Sequence, residues 1–469
     1  MDGVRRAPGA PAPGPGDVER AGGRARRHLS PLRWRGDRPH AAGQSGRPPP
    51  DQGLKGMARM RKRNPLVVGL DVGTYKIGVI VAELTESGVE ITGIGTAVSR
   101  GLKKGVVVNI DATVESIRRA VDEAELMAGC EIRSVTAGVA GCHLKGVNMH
   151  GVVAVKSREV GPGDVERVID TARAIPLPAD REVLHVLPQE FIVDDQDGIK
   201  EPVGMAGVRL EARVHIVTGS ISTGQNLVKC CNRAGLHVRD VLGGPLAAAE
   251  AVLTPEEREL GVALVDLGAG TTSVSVVHAG ALRHTAVLPV GGGHVTNDLA
   301  AALRTPFGEA ERLKQRHGSA VVQTASVEQT IEVAGLGGRS PYLLSRRALA
   351  DVIEPRAEEM LLLVKREIER AGCDGLLTSG VVLTGGGATL AGLTELADHV
   401  FHVPVRLGVP LHLTGLVDAV ASPMYSTAVG LVLHGLRQQS SGAARSGDGV
   451  RGQIGVVRQR MVEWLREFF

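Results

Sequence analysis

The sequence predicts an α/β protein of two related halves, with a small α+β segment inserted into the first half and an amphipathic helix near the C-terminal end. Three observations predict it. The apolar run Val67-Val68-Gly69-Leu70 ends in Asp71 and turns through Val72-Gly73-Thr74, and nearly the same pattern recurs at Ala263-Leu264-Val265-Asp266-Leu267-Gly268-Ala269-Gly270-Thr271-Thr272. Each copy opens a set of short apolar strands that glycine turns separate and helices follow. Between the copies, residues 142–217 break that rhythm with β-rich stretches around a single helix.

In chain order, Leu66–Leu70, Ile77–Ala82 and Glu90–Ala97 read as a three-strand meander with its second turn at Glu86-Ser87-Gly88. Asp111–Met127 places Val114, Ile117, Val121 and Ala124 on one face, a helix that Asp111 is expected to cap. Ser134–Val139 follows as a strand. The inserted segment contains Gly151–Val155, a helix at Gly163–Ala174, then Val183–Val193 and Ala212–Thr218 as strands. Gly224–Ala234 and Gly244–Leu253 resume as helices. The second half opens with paired strands in Gly261–His278 and a third at Ala281–Pro289. A helix then begins near Val295, with Thr296 and Asp298 in its first turn. Leu349–Ala371 is a long helix, and Val381–Leu383 is a strand that runs into Thr384-Gly385-Gly386-Gly387.

A strand that stops at a carboxylate and reverses through glycine leaves backbone N–H groups converging beside a hard anionic ligand. Glycine permits both the positive φ and the close approach, so each hairpin reads as a phosphate cradle with a Mg²⁺ position. One copy alone is only a turn; two in one chain suggest a nucleotide held between two related domains. The cluster Gly291-Gly292-Gly293, feeding a helix N-terminus, is a second kind of anion site. Glu311 and Lys314 stand three apart on a helix and share a face. Taken singly they make an ordinary surface ion pair. In a nucleotide cleft the carboxylate suits ribose hydroxyls and the lysine stem covers the base.

Composition excludes several classes. The chain has 469 residues, room for two or more domains. Five cysteines show no metal-ligand spacing, and Cys230-Cys231 reads as core filling. Aromatics are 2% of residues, so there is no stacking platform for nucleic acid. No run of about 18 apolar residues spans a membrane. The net charge of +3 divides into +10 over residues 1–63 and −7 over the remainder. Residues 1–63 are rich in Pro, Gly and Arg without apolar periodicity and are expected to be a disordered basic extension. Translation is expected to begin at Met57 or Met60.

The order strand-Asp-Gly-Thr, strand-Asp-Gly-x-Gly-Thr, Gly-Gly-helix, Glu-x-x-Lys, strand-Thr-Gly-Gly-Gly resembles the actin, heat-shock-chaperone and sugar-kinase ATPase superfamily. Within it the chain resembles the bacterial cell-division FtsA family, in Ser99-Arg100-Gly101, Ala124-Glu125-Leu126-Met127-Ala128, Val183-Leu184-His185-Val186-Leu187-Pro188-Gln189-Glu190 and Tyr425-Ser426-Thr427-Ala428-Val429-Gly430, among others. The resemblance covers roughly residues 64–469. It implies an actin-like two-domain ATPase fold with an inserted α+β subdomain. The expected boundaries are 64–141 and 218–255 for the first domain, 142–217 for the insert and 256–436 for the second domain, with an upper subdomain at about 303–375. Residues 437–454 are expected to be a flexible linker, and residues 455–469 a membrane-targeting helix.

The resemblance also implies roles. Asp71, Gly73 and Thr74, with Lys76 close behind, would form the first phosphate loop. Asp266, Gly268, Gly270, Thr271 and Thr272 would form the second, with Gly291 and Gly292 beside them. Asp71 and Asp266 would act on Mg²⁺ through its bound water. Glu311, Lys314, Gly385 and Gly386 would hold the nucleoside of ATP. Efficient relatives carry an acid before the proline of the helix that here begins Gly244-Pro245. Glycine cannot orient a water, so slow or negligible turnover is expected; Glu250, further down the helix, is a conceivable substitute but is expected to pack or point to solvent.

In Gly455–Phe469, the residues Val457, Met461, Trp464, Leu465 and Phe468 fall on one face, and arginines lie elsewhere on the wheel. A core-docked helix has the same spacing. The preceding Ser/Gly/Arg/Gln run and the bulky Trp464 and Phe468 favour an interfacial anchor on an anionic membrane surface. The family likeness implies a peripheral protein on the cytoplasmic side of the inner membrane at midcell. It would form filaments, bind the C-terminal tail of FtsZ through a basic face near Arg304, Arg312 and Arg316, and meet later divisome proteins. One rival is a pilus-assembly ATPase-like scaffold of the same fold; another is a sugar or acetate kinase, for which no base with a clear partner is found.

Overall fold

The computed structural model describes residues 66–85, 88–338 and 340–443. Glu86-Ser87 of the expected turn, the 1–63 extension, and everything expected beyond residue 443, the anchor included, lie outside the described residues.

Leu66–Val72 (β1), Lys76–Thr85 (β2) and Gly88–Val98 (β3) form the antiparallel meander, with β1 and β2 in register from Leu66↔Glu83 to Val72↔Ile77. A small hairpin, Leu102–Lys103 (β4) and Val106–Val107 (β5), leads to helix Ile110–Ala128 (α1). Asn109, not Asp111, caps α1. Its backbone is extended and its side chain accepts from the Ala112 N–H at 3.1 Å, whereas Asp111 already lies in the first turn, where a carboxylate complements the helix dipole. α1 lies directly on β3 because Gly95 leaves room; a Cβ there would stand 1.9 Å from the Ala120 carbonyl oxygen. Ser134–Val139 (β6) then runs parallel to β1.

The inserted segment is a four-stranded antiparallel sheet. Its strands are Lys145–Ala154 (β7), Arg181–Val193 (β8), Gln196–Ile199 (β9) and Arg209–Ser220 (β10), in the order β7-β10-β8-β9, and they cover helix Pro162–Arg173 (α2). Val168, Ile169, Phe191, Leu210 and Ile216 give it a core of its own. β9 has no apolar run and escapes a hydropathy reading. Ile221–Arg233 (α3) is followed by a further strand the periodicity does not mark, His237–Gly243 (β11), because Arg239 and Asp240 interrupt it. Gly244–Val252 (α4) and Pro255–Leu260 (α5) complete the passage; Cys230 and Cys231 are buried.

The second half repeats the plan. Val262–Leu267 (β12), Thr272–His278 (β13) and Ala281–Leu288 (β14) form a meander, followed by helices Gly292–Leu303 (α6) and Phe307–His317 (α7). The ribbon Thr330–Val333 (β15) and Tyr342–Ser345 (β16) leads into helix Arg346–Arg370 (α8). Val381–Thr384 (β17) pairs parallel to β12 as β6 does to β1, and Leu393–Phe401 (α9) and Val405–Leu407 (β18) close the sheet β14-β13-β12-β17-β18. α6 starts at Gly292 rather than near Val295, so Asp298 lies past the first turn and pairs with Arg356.

The chain then returns to the first half, which corrects the expected second-domain boundary at 436. Leu413–Gly415 (β19) adds to β3, giving the sheet β11-β6-β1-β2-β3-β19. After Val417–Val420 (α10), Ser426–Ala443 (α11) packs on β1 and α4. A three-residue strand carries no alternation to announce that return. α11 also keeps residues 437–443 helical where a linker was expected. Beneath the cleft, Ile80, Val252, Leu264, Val382 and Val429 form a core shared by both halves.

Candidate functional site

The two Asp-Gly hairpins close alike. The Gly73 N–H donates to the Lys76 carbonyl at 3.1 Å, and the Gly268 N–H to the Thr271 carbonyl at 2.9 Å. A Cβ at Gly73 would stand 2.7 Å from the Lys76 oxygen, and one at Gly268 2.9 Å from the Thr271 oxygen, so a side chain at either position would force its loop open. The loops meet tip to tip: a Cβ on Gly270 would fall 2.8 Å from Thr74 Oγ1, which accepts from the Gly105 N–H at 3.0 Å. The third glycine loop presses on the second. Gly385 has φ +83°, and a Cβ there would lie 2.2 Å from Asp266 Oδ1.

These loops line one cavity of about 730 Å³. Of the predicted residues, it brings together Asp71, Gly73, Thr74 and Lys76 from the first half with Asp266, Gly268, Gly270, Thr271, Gly292, Glu311, Lys314, Gly385 and Gly386 from the second. It does not include Thr272 or Gly291. The Thr272 hydroxyl donates to the Val290 carbonyl at 2.8 Å, a β-strand side chain turned into the sheet's interior face. Because α6 starts early, its leading N–H groups are within reach of the hairpin. Gly292 N–H donates to the Gly268 carbonyl (2.9 Å), Gly293 N–H to Ala269 (2.8 Å) and Gly291 N–H to His294 Nδ1 (3.2 Å). The helix start therefore buttresses the second hairpin instead of presenting these groups to an anion.

Burial and the neighbouring Asp71 push the Asp266 carboxyl up to about 6, against the Thr427 hydroxyl, which donates at 3.2 Å, and Lys76. Burial also raises Asp71, with Lys76 opposing. Two buried carboxylates crowding each other are hard oxygen donors whose mutual repulsion a divalent cation relieves, so the residues fit Mg²⁺. A pH dependence follows. Asp266 titrates higher folded than unfolded, so the native state binds more protons between about pH 4 and 6. Its contribution to stability is present at about pH 4 and is lost as pH rises through about 6. Without ligand, the wild-type unfolding midpoint is expected to fall relative to Asp266→Asn as pH is raised across that window; parallel curves would remove Asp266 from it.

Glu311 and Lys314 form a part-buried pair at 2.8 Å, not a surface one. Lys314 Nζ also donates to the Gly292 carbonyl (3.0 Å) and Thr296 Oγ1 (2.8 Å), and the Thr296 hydroxyl donates to Glu311, so the pair ties α7 to the start of α6. Arg316 lines the cavity, Arg312 is held by Glu309, and Arg304 sits exposed in the left-handed cap of α6. Gly244 lines the cavity. Glu250 does not; its carboxylate pairs with Arg437 and, at 3.8 Å, Arg258. Met424, Tyr425 and Thr427 also line the cavity. The signal for Tyr425 and Thr427 was the stretch Tyr425–Gly430, recognised for its family likeness and not for a place in the site; Met424 had none.

A family model described as "Cell division protein FtsA" matches residues 263–430, and one described as "SHS2 domain inserted in FTSA" matches residues 141–218. The Cell division protein FtsA of Pseudomonas aeruginosa is 52% identical over 385 residues, covering 82% of this chain and 92% of that one. The chain belongs to the FtsA family. The Cell division protein FtsA of Escherichia coli K12 is 43% identical over 412 residues, 86% of this chain and 98% of that one. Among solved structures, the PilM-PilN type IV pilus biogenesis complex matches with a TM-score of 0.58 at 17% identity over 79% of this chain and 98% of that one. MreB 5 of Spiroplasma citri bound to AMPPNP matches with 0.51 at 13% identity over 81% and 98%. At that identity the two structures speak to fold alone: this FtsA-family chain has the actin-like two-domain fold with an inserted subdomain.

Proposed function

We propose that this FtsA-family chain is a cell-division protein that binds Mg-ATP between its halves and polymerises on the cytoplasmic face of the inner membrane at midcell. There it anchors the FtsZ ring through the FtsZ C-terminal tail and helps recruit later divisome proteins. The observation that carries the nucleotide reading is the convergence of Asp71 and Asp266, each ending an equivalent strand before an equivalent glycine hairpin, on one cavity. Relatives named for cell division, at up to 52% identity among those compared, support the cellular role.

Mg²⁺ would be held by Asp71 and Asp266 through its water, and it would supply positive charge against the phosphate chain. The chain's own residues bind and orient. The hairpin backbones flank the phosphates, Lys76 contributes an ammonium, and Glu311, Lys314, Gly385 and Gly386 face the nucleoside. Gly244 on the cavity wall offers no group to activate a water, which supports slow or negligible hydrolysis; such a group typically contributes ~10²–10⁴-fold. FtsZ is assigned to the upper subdomain, around Arg304, Arg312 and Arg316. The pilus-scaffold reading has only fold likeness behind it.

Attachment is assigned to Val457, Met461, Trp464, Leu465 and Phe468. A single amphipathic segment binds weakly and reversibly, and a filament carrying many binds firmly through effective concentration. Full-length protein with Mg-ATP is expected to pellet with vesicles containing anionic lipid, and a chain stopped at residue 450 to stay in the supernatant. Equal pelleting would refute the anchor.

A further inference from the structure

Lys76 stands at the start of β2, where its side chain reaches the cavity. One short segment beside the third glycine loop receives it. The Met424 carbonyl accepts from the Lys76 ammonium at 2.8 Å, and the ammonium lies 3.8 Å from the centroid of the Tyr425 ring. Lys76, Met424 and Tyr425 all line the cavity with Asp71 and Asp266.

The segment is itself fixed by the rest of the site. The Pro423 carbonyl accepts from the Gly385 N–H at 3.1 Å, and the Tyr425 N–H donates to the Ser422 carbonyl at 3.1 Å. The Ser426 and Thr384 hydroxyls share a buried hydrogen bond of 2.6 Å, and the next residue, Thr427, donates to Asp266 at 3.2 Å. The ring is thus placed by the third glycine loop and by the second aspartate. It hands that placement to the lysine of the first hairpin. A lysine on a flexible four-carbon stem gains most from such a seat, because its point charge is otherwise spread over many rotamers. The ring face that carries the ammonium is also closed to a stacking base.

We propose that Tyr425 is a positioning residue for polyphosphate recognition: with the Met424 carbonyl, its ring holds the Lys76 ammonium where the phosphate chain of a nucleotide passes between Asp71 and Asp266. The proposal rests on the nucleotide reading above. It assigns to the aromatic ring a task an aliphatic side chain of similar bulk does not perform, since only the ring presents a negative face to the cation.

The test is equilibrium binding of ATP and of AMP, each with Mg²⁺, by titration calorimetry on the full chain and on Tyr425→Leu and Tyr425→Phe. Tyr425→Leu is expected to weaken ATP by roughly 3- to 30-fold, the range a partly desolvated cation–π contact supports, and to leave AMP within about twofold. Tyr425→Phe keeps the ring and is expected to bind ATP as the wild type does. Undiminished ATP binding by Tyr425→Leu overturns the proposal. So does an equal loss for ATP and AMP, the mark of a merely structural residue, or a loss in Tyr425→Phe as large as in Tyr425→Leu. Should Tyr425→Leu lose its folded far-UV signal, Tyr425→Met carries the same contrast. A wild-type chain that binds no ATP is a distinguishable failure, because it removes the nucleotide reading itself and this proposal with it.

Discussion

Asp71→Ala is expected to abolish measurable ATP binding by the full chain, and Asp266→Ala to do the same; these are the largest functional effects expected of any single change. The two carboxylates stand next to last in equivalent strands that open each half, and both line one cavity. Each side chain, with its neighbouring glycine hairpin, is half of a site that neither half completes alone. Truncating one charged partner of a buried, charge-paired binding site costs about 2–5 kcal/mol of binding, roughly 30- to 4,000-fold in affinity. The loss is separable from unfolding, because the signs are opposite. Burial and Asp71 hold Asp266 away from its ionised form, so the ligand-free native state is strained by that charge at neutral pH. The alanine variant is therefore expected to unfold at the wild-type temperature or above it while failing to bind. Calorimetric titration with Mg-ATP, run beside thermal unfolding of the same samples, checks both. ATP binding undiminished in either variant would dismantle the assignment of the loops.

Much of this was legible in the sequence because duplicated chemistry leaves a duplicated pattern. An apolar run ending in aspartate and a glycine turn can be read once as a hairpin and twice as a cleft, and the structure places the two hairpins in contact through Gly270 and Thr74. The α+β insert was legible as a break in period, since Phe191, Leu210 and Ile216 alternate on strands with a core of their own. What escaped depends on tertiary partners that leave no local mark. β9 and β11 are strands by pairing and not by apolar alternation. Asn109 takes the cap of α1 because its backbone is extended, while Asp111, equally good by residue type, is already inside the helix. Thr272 looked equivalent to Thr271, yet the strand alternation sends its hydroxyl to Val290. Met424 enters the site through a backbone carbonyl, a group no residue type announces. The return of the chain through β19 and α11 could be inferred only from what those elements touch.

That return makes Gly430 a position where a single methyl group is expected to damage the fold heavily. α11 lies between β1 and α4, and both contacts are made through glycine. A Cβ on Gly69 of β1 would come within 2.4 Å of the Ala428 carbonyl oxygen, and a Cβ on Gly430 within 1.8 Å of the Ala247 oxygen and 2.4 Å of its carbon. These obstacles are backbone atoms of neighbouring elements, so no rotamer change relieves them. α11 or α4 must move, and with α11 moves Thr427, which holds Asp266. Overpacking of this kind costs about 1–3 kcal/mol. The helix propensity gained by replacing glycine with alanine returns at most about 1 kcal/mol. Gly430→Ala is therefore expected to be destabilised on balance, and Gly430→Val, with a larger and β-branched side chain, to lose considerably more. Gly308 in α7 supplies the control, since nothing lies within 4 Å of a Cβ built there. Gly308→Ala should be neutral to stabilising by up to about 1 kcal/mol. Urea unfolding of the three variants reads the contrast directly. A Gly430→Ala protein as stable as the wild type, with an unchanged m-value, would mean that α11 does not cross α4 at the distance its glycine allows.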